Sequence, residues 1–194
     1  MPLYALWIKP SGEVFETLSQ TIRKLATELN TVVFEPHVTL LANLDGSEQE
    51  LAERGEELSG QIKPFKISLT EPAYQDEYFK CVFLRVEKTQ SVMNANACAG
   101  RIFKRPQEIY EPHISLVYGQ LPEERKKLII RGLPENLKTH FEAKAIYVIK
   151  ADSSHPRDWH ELAAFRLEGR LGAGNSFGTE SGTRTLDVGY GSGD

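Results

Sequence analysis

The sequence predicts an α+β protein made of two related β-α-β-α-β halves packed about a pseudo-twofold axis. Three observations predict it. First, one hexapeptide occurs twice, as Glu35-Pro36-His37-Val38-Thr39-Leu40 and as Glu111-Pro112-His113-Ile114-Ser115-Leu116, 76 positions apart, with every position identical or a close chemical match. At average residue usage a His-apolar-hydroxyl-apolar run arises roughly once per few thousand positions, so two copies in one chain is a strong signal. Second, the same offset lays strand-like runs on each other: Leu3 to Ile8 falls on Phe79 to Leu84, and Phe65 to Leu69 falls on Phe141 to Ala145. Third, it lays the helical run Val14 to Leu29 on the run Gln90 to Arg105, with no gap needed.

Taken in order, Leu3 to Lys9 reads as a strand closed by Pro10-Ser11-Gly12, where Ser11 is placed to cap a helix. That helix, Glu13 to Asn30, carries Val14, Leu18, Ile22, Leu25 and Leu29 at helical spacing. The first motif strand follows, with a turn at Asn43 to Gly46. Ser47 with Glu50 is a capping-box pattern opening an acidic helix to about Leu58. Phe65 to Leu69 alternates as a strand, and Thr70 to Glu77 reads as a loop. Lys80 to Val86 is a strand, followed by a helix to about Lys104 and the second motif strand through Tyr118. Pro122 sits at the first turn of a short helix ending near Gly132. His140 to Ala151 reads as one long strand, 152–158 as a loop, and Trp159 to Leu167 as the last strand. Residues 1–168 form the expected catalytic domain. Residues 169–194 are rich in Gly, Ser and Thr and read as a flexible extension.

Composition excludes several classes. A chain of 194 residues can bury a sizeable core, and its residue usage is that of a globular protein. A net charge of −4 argues against a dedicated binder of long nucleic acid, though a local pocket can still be positive. No apolar run approaches a membrane span, and no signal-peptide pattern opens the chain. Cys81 and Cys98 have no CxxC spacing and fit a reducing, cytoplasmic setting.

Strand geometry turns the motif into chemistry. Side chains alternate across a strand, so His37 and Thr39 share one face and Val38 and Leu40 the other; His113 and Ser115 pair in the same way. Pro36 and Pro112 fit strand starts, where a missing N–H does little harm. A pseudo-twofold axis brings the two imidazole–hydroxyl pairs face to face. Two imidazoles, titrating near neutral pH, suit a reaction that needs a base and an acid together. Opening of a cyclic phosphodiester by water is such a reaction, with Thr39 and Ser115 as donors to the phosphate oxygens. It calls for no metal and no cofactor.

The paired His-apolar-Thr/Ser-apolar motifs resemble the signature of the 2H phosphoesterase superfamily, over about residues 2–168. The short chain, Trp7 and the run Tyr78-Phe79-Lys80-Cys81-Val82-Phe83-Leu84 are most similar to cyclic phosphodiesterases of the plant and fungal type. The resemblance implies a bilobal fold, with antiparallel sheets lining a central cleft. It implies hydrolysis of ADP-ribose 1″,2″-cyclic phosphate, a by-product of tRNA splicing, and of nucleoside 2′,3′-cyclic phosphates. It assigns His37 and His113 as catalytic residues, Thr39 and Ser115 as phosphate ligands, and Tyr118 as a further phosphate contact. Tyr118 follows His113 by five, so that contact requires the strand to end or bend after Val117. The expected partner is a small cyclic nucleotide bound by a monomer.

Trp7 and Phe83 coincide under the 76-residue offset and are candidates to stack on a base or line the sugar site. His140, His155 and His160 lack a repeated context and read as structural. Three rival functions remain: an enzyme acting on 2′,3′-cyclic ends of RNA, with Lys63, Lys66 or Arg125 to Lys127 as its basic path; a phosphate-binding module without turnover; and a two-histidine metal site, which no carboxylate or Cys at ligand spacing supports.

Overall fold

A computed structural model describes residues 3–105, 109–151, 153 and 155–169. The extension expected from residue 169 falls, beyond Gly169, outside them. Eight strands and four α-helices order the described chain: β1 (Tyr4–Ile8), α1 (Gly12–Leu29), β2 (Val38–Leu44), α2 (Glu48–Gln61), β3 (Phe65–Tyr74), β4 (Val82–Val86), α3 (Gln90–Ile102), β5 (His113–Val117), α4 (Glu123–Arg131), β6 (His140–Ala143), β7 (Ala145–Lys150) and β8 (His160–Arg166). The strands pair antiparallel throughout, in the order β6-β3-β4-β5-β2-β1-β7-β8.

That order reads the same outward from its centre. There β2 and β5, the two motif strands, meet through the single pair Val38↔Ile114. Outward from β2 come β1, β7 and β8; outward from β5 come β4, β3 and β6. Strands are exchanged between the sequence halves: β3 of the first half lies beside β4, and β7 of the second beside β1. The helices cross over too, since α1 packs on β5 and α3 on β2, while α2 covers β7 and β8 and α4 covers β3 and β4. The two halves of the sheet are therefore not two contiguous halves of the sequence.

Alternation sets the faces. Tyr4, Leu6 and Ile8 of β1, Val38 and Leu40 of β2, and Ile114 and Leu116 of β5 point into one large core beneath the helices. Ala5 and Trp7 point the other way and bury against Ile149, which explains why all five residues of β1 are buried. The motif hydroxyls and imidazoles lie on this second face.

Several boundaries differ from the sequence reading, each for a local reason. The expected loop 70–77 is mostly strand. After Phe65–Ser68 pairs with β6, a register shift between Leu69 and Pro72 lets β3 continue along β4 to Tyr74. Pro72 has no N–H for a regular ladder, and a bulge accommodates it. The expected long strand from His140 divides at Lys144, because β6 pairs with β3 and β7 with β1 and β8. Ser11 occupies the N-cap of α1 but makes no side-chain cap bond. The capping box of Ser47 and Glu50 forms in full, and α2 runs on to Gln61. No described helix is long and apolar enough to cross a membrane.

Candidate active site

His37 immediately precedes β2 and His113 opens β5. The two rings are held alike. His37 Nδ1 donates to the Glu35 carbonyl at 2.7 Å, and His113 Nδ1 donates to the Glu111 carbonyl at 2.8 Å. A proline lies between each carbonyl and its histidine, so the ring bonds backward across the X-Pro-His corner. With the proton fixed on Nδ1, each neutral imidazole keeps its lone pair on Nε2. Both histidines line one cavity of about 690 Å³, together with Thr39, Ser115, Trp7 and Tyr118. A charge on His113 lowers the pKa of His37.

Their surroundings differ. His37 is only 7 % exposed, and the Trp7 indole stacks on it at 3.5 Å between centroids and 6° between planes. Burial, opposed by the Glu35 carbonyl bond and reinforced by the charges of His113 and Lys9, lowers its pKa to about 3. His113 is half-buried and meets Phe83 edge-on at 5.2 Å. Burial lowers its pKa as well, and Lys80 adds to this. The Glu111 carbonyl bond and the carboxylates of Glu77 and Glu111 favour its charged form.

The hydroxyl groups are also unlike. Ser115 Oγ donates to the Phe79 carbonyl at 2.6 Å. Burial pushes the Tyr118 hydroxyl pKa up, partly opposed by the Ser115 side chain beside it. Tyr118 reaches the cavity because β5 ends at Val117, and its ring stacks on Phe34 at 3.7 Å. Thr39 is held through its backbone, whose carbonyl accepts from the Tyr110 hydroxyl at 3.1 Å.

Trp7 and Phe83 sit against the two imidazoles rather than standing free. His37 covers one face of Trp7. Phe83 lies outside the main cavity and helps line a smaller one on the far flank of His113. Besides Trp7 and Tyr118, the main cavity has aromatic walls in Phe79, 45 % exposed, and Trp159, with ring centroids 6.0 Å apart. The Trp159 indole N–H donates to the Ser153 carbonyl at 2.6 Å, and its ring lies 5.7 Å from Trp7 and 6.2 Å from Tyr118. Sequence reasoning passed over Phe79, Trp159, Tyr110 and Lys80. A signal existed for Phe79, because it falls on Leu3 under the 76-residue offset and both line the cavity.

The expected basic path lies elsewhere. Lys126 is buried, bonded to the Gln75 carbonyl and to Asp76, and Lys127 pairs with Glu123 and Glu124. Neither they nor Lys63, Lys66 or Arg125 line the cavity. His140, His155 and His160 are also absent from its lining. Cys81 and Cys98 are both free thiols. Among the described residues, no group of three or more His, Cys, Asp and Glu is arranged to hold a metal ion.

A family model described as "cyclic phosphodiesterase-like protein" matches residues 1–169. The chain belongs to that family. It is thus a 2H phosphoesterase, an enzyme acting on phosphodiesters. A cyclic phosphodiesterase of Arabidopsis thaliana is 28 % identical over 126 residues, covering 64 % of this chain and 70 % of that protein. Apo LigT of E. coli superposes with a TM-score of 0.60 at 12 % identity, over 85 % of this chain and 97 % of that one. The protein TT0787 of Thermus thermophilus gives a TM-score of 0.61 at 17 % identity, over 86 % and 98 %. At such identities the two structures show the shared fold.

Proposed function

We propose that this cyclic phosphodiesterase-like protein opens ADP-ribose 1″,2″-cyclic phosphate and nucleoside 2′,3′-cyclic phosphates to phosphomonoesters. His37 serves as the base and His113 as the acid. The observation that carries this reading is the pair of imidazoles on one cavity, each held by Nδ1 so that Nε2 is available.

The division of labour follows from the environments. His37, buried against Trp7, is neutral near pH 7 and can accept a proton from the attacking water. His113 has Glu77 and Glu111 nearby to favour its charged form, and an anionic substrate adds to their effect. Water attacks phosphorus and gives its proton to His37. The bond to the departing ribose oxygen breaks, and that oxygen takes the proton of His113. Exchange with solvent then restores both rings. Thr39 and Ser115 donate to the non-bridging oxygens as charge builds on them, for which Ser115 must leave the Phe79 carbonyl. Tyr118, which lines the cavity with Ser115 just past the end of β5, is a further contact for the phosphate. Phe79 and Trp159 offer faces for a nucleobase. A protein of this fold, E. coli LigT, has been crystallised with 3′-AMP, ATP and NADP+, so the scaffold admits nucleotides of different sizes.

The test is a panel of cyclic phosphates with products identified by phosphorus NMR, run with and without EDTA. His37→Ala and His113→Ala should each cost on the order of 10²–10⁴ in kcat. Full activity in either single variant would remove the mechanism.

A further inference from the structure

The axis that relates the two histidines also relates their neighbours, and there the two sides part. Under the 76-residue offset Lys9 falls on Arg85 and Glu35 on Glu111. On the His37 side the cation is fully engaged. Lys9 Nζ lies 2.8 Å from Glu35 and 3.0 Å from Glu161, over the Tyr147 ring at 4.6 Å, with its side chain 11 % exposed. One cation there faces two carboxylates.

On the His113 side the balance reverses. Arg85 lies 3.9 Å from Glu111, Lys88 lies 2.5 Å from the same carboxylate, and Lys80 lies 3.5 Å from Glu77. Three cations there share two carboxylates. Where the first side is filled, this one is hollow. A cavity of about 230 Å³ is lined by Lys80, Arg85, Lys88, Thr70 and Gln75, with Phe83 at its wall. That is several times the ~30 Å³ a water molecule occupies in the liquid. His113, Glu111 and Lys80 border both this cavity and the main one, so a single ligand can extend from one into the other.

We propose that the smaller cavity is a second anion subsite, which takes a further phosphate group of the substrate and makes the enzyme select cyclic phosphates that carry one. The inference rests on reading the main cavity as the cyclic-phosphate site. A phosphate entering beside Arg85 and Lys88 replaces the Glu111 carboxylate as their partner. That carboxylate is half-exposed and free to turn to solvent, while the Glu111 carbonyl keeps its hold on His113. Charge-assisted bonds to phosphate are the strong kind, and their exposure here makes them salt-sensitive.

Three probes test it at low salt: adenosine 2′,3′-cyclic phosphate, its 5′-diphosphate form, and a dinucleotide ending in a 2′,3′-cyclic phosphate. The expected result is a KM about tenfold lower for at least one phosphate-bearing probe than for the plain one. In the Arg85→Gln/Lys88→Gln protein this ratio should fall to about twofold or less, as it should in wild type at high salt. Preference for the diphosphate assigns the subsite to small nucleotides; preference for the dinucleotide alone assigns it to oligonucleotide ends. A ratio near one in wild type, or one that the double variant leaves intact, overturns the proposal. Dissociation constants of the plain and diphosphate probes for His37→Ala protein, with and without the double substitution, separate this failure from that of the catalytic reading. A binding preference lost on substitution, in an enzyme that opens none of the probes, keeps the subsite and removes the cyclic-phosphate reaction.

Discussion

The burial of His37 ties catalysis to stability, and the link can be measured without any substrate. Its pKa is about 3 in the folded chain, against an ordinary 6.5. The unfolded chain therefore takes up this proton first as pH falls. Stability is complete above about 6.5 and drains away as pH drops toward about 3. Integrating that one site between neutral pH and about pH 5 gives a loss of about 2 kcal/mol. The matched control is His37→Asn, whose side-chain amide can keep the bond to the Glu35 carbonyl but cannot titrate. Urea unfolding of both proteins at the two pH values yields four free energies. The wild type should lose about 2 kcal/mol more than the variant on acidification. Depressed carboxylates such as Glu111 and the lowered pKa of His113 act in both proteins and cancel. Equal losses would mean that His37 takes up a proton in the folded state near its ordinary pKa. The ground for making it the base would then be gone.

Three further outcomes follow from the same environments. The value of kcat/KM should fall on the alkaline side as His113 loses its proton, below the ordinary 6.5, and should stay level on the acid side to about pH 4; an alkaline limb centred above pH 7 contradicts the assignment. Trp7→Ala opens one face of His37 to water, so its pKa should climb and the acid limb should move up by a measurable fraction of the wild-type shift, with Trp7→Phe in between; an unmoved limb would show that the indole does not exclude water from the ring. Ser47→Ala removes the oxygen that accepts from the Glu50 N–H, and chemical denaturation should register a cost of about 1 kcal/mol with no change in KM.

Period and capping made most of the elements legible. The repeated hexapeptide marked both central strands, and parity within it placed His37 with Thr39 and His113 with Ser115 on the face opposite Val38 and Ile114. The exchange of β3 and β7 was not legible, because strand pairing is a long-range choice that leaves little trace in local periodicity. The offset laid Phe65 on Phe141, yet it could not show that β3 and β6 lie side by side, with Phe65 opposite Ala143. Loop chemistry hid the upper part of β3, since Thr70 to Tyr74 contains a proline that ordinarily argues against a strand. The aromatic walls were hidden for a related reason. Phe79 and Trp159 come from non-equivalent loops, so only the folded chain shows that they meet. The burial of Lys126, within the candidate basic path Arg125 to Lys127, leaves no local mark in the sequence, because it depends on the Gln75 carbonyl and Asp76, supplied from a distant turn.

Two copies of one motif pose a problem that the fold has to resolve. Ring opening needs one histidine neutral and the other protonated, whereas strict twofold symmetry gives both the same pKa. Most molecules would then carry the wrong pair of protonation states at any pH far from that value. The unlike residues around the motif break the tie. A large indole stacks flat on His37 where a phenyl ring meets His113 by its edge, and burial is the largest influence on both rings. Lys9 is locked between two carboxylates, while Arg85 shares one with Lys88 beside an open cavity. In the proposed mechanism the duplicated residues supply the reacting groups and the unduplicated ones decide which group does what. A duplicated site can keep its motifs nearly identical and still perform an asymmetric reaction, provided that the next layer of residues diverges.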